Sequence, residues 1–85
     1  MYSKEAIKVF LKQQGQLFDE NVAETPEEAQ EFLDECMAVE VNSIKEVRKY
    51  LDAMGADVAG MSAEELMEAS EVFALPGGRF LIVEG

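Results

Sequence analysis

The sequence predicts an α+β fold, with three to four short helices packed on a small antiparallel sheet built on a C-terminal β-hairpin. Two observations carry this. Segments opening on Ser3, Thr25, Ser43 and Ser62 each lead into apolar residues at helical spacing, and residues 71–75 and 79–84 change to strand-forming residues on either side of Pro76-Gly77-Gly78. A third stretch, 38–41, reads either as the last turn of a helix or as a short third strand. Its two valines favour a strand, as does the marginal stability of an isolated two-stranded hairpin.

In chain order, Ser3 is an N-cap for a helix over 4–14, and Gly15 stands where a left-handed residue would end it. Ile7, Phe10 and Leu11 form its inner stripe, while Lys4, Lys8 and Lys12, four apart, form a basic outer ridge. Residues 16–25 break the pattern, with Leu17, Phe18 and Val22 as anchors onto the core. Thr25-Pro26-Glu27-Glu28 is the strongest helix start in the chain. Thr caps, Pro fills the first position, where its missing N–H costs nothing, and Glu28 completes a capping box. Ala29, Phe32, Leu33 and Cys36 make the inner stripe of this second helix, over 26–37. Ser43 with Glu46 opens a third helix, lined by Ile44, Val47, Leu51 and Met54 and ended by Gly55. Ser62 with Glu65 opens a short fourth, carrying Leu66 and Met67 inward. The sheet is expected to have all its helices on one side, and no internal repeat is evident.

The chain of 85 residues makes one small acidic globular domain, 1–85, with 48% apolar residues and one cysteine, so no internal disulfide. It has no apolar run long enough to span a membrane and no signal-peptide pattern at its start, which makes a reduced, cytoplasmic setting the expectation. The net charge of −11 disfavours direct contact with nucleic acid or an anionic membrane; it favours either a protein partner with a basic surface or no partner, the charge then serving only to keep the chain in solution. The charges are segregated: acidic residues dominate from Asp19 to Glu40 and from Asp57 to Glu71, while every basic residue except Arg79 lies in the first or third helix. Basic and acidic helices are therefore expected side by side.

Chemistry is sparse. With no His, Ser–His and Cys–His pairs are excluded, and Cys36, on an apolar stripe beside carboxylates, is expected to be an inert core thiol. No calcium-loop spacing is present, and Gly77-Gly78 is too short for a phosphate loop. The expectation is no enzyme, no cofactor and no metal. Gly55-Ala56-Asp57 resembles the run leading into the Asp-Ser-Leu motif of acyl carrier proteins, which are small, acidic and four-helical. Val58 stands where the modified Ser would be, and three residues do not assign the family.

Three functions follow as expectations. The first is a non-enzymatic protein–protein interaction or accessory module acting through the C-terminal hairpin. Its surface would comprise Phe73, Leu75, Phe80, Leu81, Ile82 and Val83, because the strand over 80–83 is apolar on both faces. Strand addition there would make a homodimer. The second is an acidic decoy that binds the basic surface of a nucleic-acid-binding protein through Glu24, Glu27, Glu28, Glu31, Asp34 and Glu35. The third is a small-ligand binder or carrier.

Overall fold

A computed structural model describes residues 2–83. Four α-helices and three strands make the α+β architecture: α1 (Lys4–Gln13), α2 (Pro26–Glu35), β1 (Val39–Val41), α3 (Ile44–Ala53), α4 (Ala63–Glu68), β2 (Val72–Ala74) and β3 (Phe80–Ile82). Each helix opens as its cap predicts. Ser3, Thr25, Ser43 and Ser62 accept from the backbone N–H groups of Ala6, Glu28, Glu46 and Glu65, satisfying donors that have no partner within the helix. Only α4 closes the full capping box, Ser62 N–H donating to Glu65 Oε1 at 3.1 Å. In α2 and α3 the Glu carboxylate reaches one residue further back, to the N–H of Glu24 and of Asn42.

The helix ends depart more from expectation. After α1 the chain tightens into a 3₁₀ turn, Gln14–Gln16, which takes up Gly15 without a left-handed residue. After α3, Gly55 is left-handed (φ 91°), with Gly55 N–H donating to Asp52 O and Ala56 N–H to Leu51 O. The same double bond closes α2, from Met37 to Asp34 and from Ala38 to Leu33, but here a methionine holds the left-handed position (φ 57°).

The 38–41 stretch is a strand. The sheet order is β1-β3-β2, and both outer strands run antiparallel to β3. Val39, Glu40 and Val41 face Ile82, Leu81 and Phe80, which in turn face Val72, Phe73 and Ala74. The hairpin turn is Pro76–Gly78, in which Gly77 and Gly78 both take positive φ and Leu75 N–H donates to Arg79 O at 2.8 Å. Glu84, the last residue of the predicted second strand, lies outside the described residues.

Helices do not cover one side only. Cross-strand partners share a face, and successive residues alternate. Phe73, Leu75, Leu81 and Val83 therefore pack under α1 and α2 with Ala6, Phe10, Ala29 and Leu33. Val41, Val72, Phe80 and Ile82 pack on the other side with Val47, Leu51, Val58 and Leu66 of the α3–α4 half. Phe10 centres an aromatic group with Phe18, Phe32 and Phe73, the ring centroids lying 5.6–6.4 Å from its own. The expected stripes hold at Phe10, Leu33, Val47, Leu51 and Leu66. Ile7, Leu11, Phe18, Phe32, Cys36 and Ile44 are half-buried, while Met54 and Met67, predicted inward, are exposed, as is Val22.

The structure also exposes a repeat, contrary to expectation. The order α1-α2-β1 recurs as α3-α4-β2 around the shared strand β3. Ser3…Ile7-Lys8…Phe10-Leu11…Gly15 matches Ser43…Val47-Arg48…Tyr50-Leu51…Gly55 without a gap, and Thr25-Pro26-Glu27-Glu28 matches Ser62-Ala63-Glu64-Glu65. β1 and β2 run parallel to each other on opposite sides of β3, and their helix pairs cover opposite faces.

Candidate interaction surfaces

The six predicted hairpin residues are brought together, but inside the molecule. Phe73, Leu75, Phe80, Leu81, Ile82 and Val83 are all buried by this chain's own helices, the most exposed of them at 6%. β3 is the central strand, paired on both sides, and offers no edge for strand addition. The expectation of a hairpin interface, and of a dimer formed on that strand, is corrected accordingly. An apolar run on both faces of a strand here marks burial between two layers, the usual reading for a strand covered on both sides.

The true edges are short. In β2 the bonds from Leu75 N–H to Arg79 and from Val83 N–H to Glu71 direct the odd-numbered residues at β3, so Val72 and Ala74 turn their backbone outward. Val72 is covered: its N–H donates to Ala69 O, and its carbonyl accepts from Gln16 Nε2 at 3.0 Å. In β1, Glu40 turns its side chain to the α1 face. Its carboxylate accepts from Ser3 N–H (2.6 Å) and from Arg79 (3.3 Å), which also bonds Glu5 (2.9 Å).

The acidic set is brought together at the surface. Glu24, Glu27, Glu28, Glu31, Asp34 and Glu35 are all exposed. The five within α2 fall in roughly one third of the helix circumference, opposite Ala29 and Leu33. α1 lies against α2 and α3 against α4, so basic and acidic helices are neighbours as expected. Their charges nevertheless do not pair, the ion pairs among the described residues being those of Arg79 with Glu5 and Glu40. Arg48 instead donates to the Val58 and Met61 carbonyls (2.6 and 2.7 Å), pinning the α3–α4 connection. Gln14, 2% exposed, pins the α1–α2 connection: Nε2 donates to Leu11 O and Ala23 O, and Oε1 accepts from the N–H groups of Val22 and Ala23.

Sequence reasoning also missed a depression of about 590 Å³ over the outer side of α1, lined by Ile7, Lys8, Val9, Leu11, Pro26 and Pro76. The basic ridge and Pro26 were both legible; that they border one hollow was not, because it depends on α2 beginning beside α1.

Near the C-terminal end of α2, the Tyr2 hydroxyl lies 2.6 Å from Ala38 O and 3.0 Å from Leu33 O. Burial raises its pKa, helped by the nearby charges of Asp34, Cys36 and Glu40. Cys36 is a half-buried free thiol, its pKa raised by burial and then by Glu35. Among the described residues no group of three or more metal-ligating side chains converges. Val58, at the position that invited comparison with carrier proteins, is a buried core residue. Comparison of the chain with protein-family models, curated proteins and solved structures finds no match in any of the three.

Proposed function

We propose that the protein is a non-enzymatic interaction module that docks a basic protein surface on the outer face of α2. The observation that carries this is the unneutralised carboxylate arc. Glu27, Glu28, Glu31, Asp34 and Glu35 stand exposed and without a cationic partner among the described residues, on the side of α2 turned away from the Ala29 and Leu33 face that packs with α1. Like charges gathered this closely repel one another and lower stability, while raising the rate and selectivity of encounter with a cationic surface. The absence of histidine from the chain fits a binding role. The competition between this domain and a nucleic acid for one basic groove is the form such docking would take in an acidic decoy.

The test uses a partner captured by crosslinking in the native host and then purified. Its affinity for the intact chain should fall at least tenfold between low and physiological salt, because attraction between exposed charges is screened beyond about 8 Å. Replacing Glu27, Glu31 and Glu35 together by Lys should abolish the complex while leaving the helix content unchanged. A partner without a basic surface, or binding indifferent to salt, would remove this reading.

A further inference from the structure

The two halves of the chain treat equivalent helix flanks differently. Aligned on their caps, α3 and α1 place Arg48 with Lys8, Val47 with Ile7 and Leu51 with Leu11. In the second half this flank is engaged by the segment leading to α4. Val58, 3% exposed, lies in one cluster with Val47 and Leu51, and the Arg48 guanidinium holds the Val58 and Met61 carbonyls at 2.6 and 2.7 Å. In the first half the connection is drawn elsewhere, with Gln14 holding Val22 and Ala23. The α1 flank stays open as the depression bordered by Pro26. Ile7 and Leu11 are half-buried where their counterparts are buried, and Lys8 is exposed with no hydrogen-bond or ion-pair partner among the described residues.

We propose that this flank of α1 is a docking site for a short peptide from another chain, bound in the turn by which the molecule already presents its own Val58–Met61 segment, Met61 N–H donating to Val58 O at 3.1 Å. A Val or Ile of the peptide packs on Ile7, Leu11 and Pro26, and the adjoining main-chain carbonyls accept from the Lys8 ammonium. An acidic residue beside the Val is drawn by Lys4 and Lys12, which continue the row at four-residue spacing. Asp57 precedes Val58 in the internal counterpart. Glu5, also on the lining, is paired with Arg79, which leaves the lysines as the free charges at the site. The net charge of −11 restricts the ligand to one or two acidic residues, since local attraction outweighs the repulsion of the whole only within a Debye length.

The probe is the blocked peptide Gly-Ala-Asp-Val-Ala-Gly-Met-Ser, the sequence of residues 55–62, titrated into the isotope-labelled intact chain and followed by amide chemical shifts. Saturable shifts at Ile7, Lys8 and Leu11 are expected. Lys8→Ala, an exposed position that leaves the fold intact, should weaken binding about tenfold, the loss typical of one charged hydrogen bond. The peptide carrying Val58→Asp should not bind. Lack of saturation by about 2 mM peptide, far beyond a useful affinity, overturns the proposal. So do shifts centred on α3, an unaltered affinity for Lys8→Ala, or concentration-dependent shifts at the same residues without peptide, which would give the surface to a second copy. The triple Lys variant of α2 leaves this titration saturable, so the two surfaces stand or fall separately.

Discussion

Met37 offers the sharpest test of how the helix ends are built. It occupies the left-handed position after α2 (φ 57°), the position that Gly55 (φ 91°) takes after α3. A left-handed conformation costs an L-residue about 1–2 kcal/mol, because Cβ crowds the following carbonyl. Glycine escapes that cost but loses more freedom on folding, which returns about 0.5–1 kcal/mol. Met37 is 76% exposed, so its removal forfeits little packing. Met37→Gly should therefore stabilise the fold by about 0.5–1 kcal/mol, raising the thermal midpoint by about 2–8 °C for a domain of this size. The reciprocal change, Gly55→Ala, should cost about 1 kcal/mol. A Cβ at Gly55 would meet nothing within 4 Å, so the loss is conformational rather than steric. Urea unfolding followed by circular dichroism reads both, and the slope must stay constant for the midpoint shift to mean stability. A Met37→Gly midpoint equal to or below that of the parent, at unchanged slope, would refute the assignment of strain.

Three further outcomes follow from the packing. Leu81→Ala and Ile82→Ala should each cost about 2–5 kcal/mol, since each deletes a buried side chain from a different face of β3; a Leu81→Ala chain as stable as the parent would show that its face is not a core. Gln14→Leu should cost about 2–4 kcal/mol, because it strips partners from the Val22 and Ala23 backbone, and hydrogen exchange at those two amides should accelerate with it. Tyr2→Phe should cost about 1 kcal/mol at neutral pH through the lost hydroxyl bond. Because the folded state raises the Tyr2 pKa above its ordinary 10.0, that group's contribution is complete below pH 10 and is lost as the pH rises through the folded value. The parent's stability should therefore fall more steeply in alkali than that of Tyr2→Phe, as thermal melts from pH 9 to 11 would show.

Local features were legible and layering was not. Ser3, Thr25, Ser43 and Ser62 announce helices because a cap bond is made within three residues of itself. The hairpin was readable for the same reason, its glycines supplying the positive φ of the turn. Whether Leu81 and Val83 face helices or solvent depends on where α1 and α2 go, which no window around those residues contains. The apolar run over 80–83 held the clue, since a strand apolar on both faces is more simply read as a central strand than as an interface. The repeat is masked in the sequence because its parts are not evenly spaced: the connection after α1 is longer than that after α3, and the match holds only element by element. Of the candidate sites, the α2 arc was visible as composition, whereas the hollow over α1 arises from the meeting of segments remote in sequence.

The central place of β3 bears on how the molecule comes into being. β1 has no partner until Phe80–Ile82 arrives, about 40 residues later in the chain. At a synthesis rate of roughly 5–20 residues per second, the first half waits about 2–8 s with the apolar undersides of α1 and α2 uncovered. Apolar surface exposed in this way favours aggregation until β3 covers it. The delay is a property of topology, and no change in the composition of the first half can shorten it.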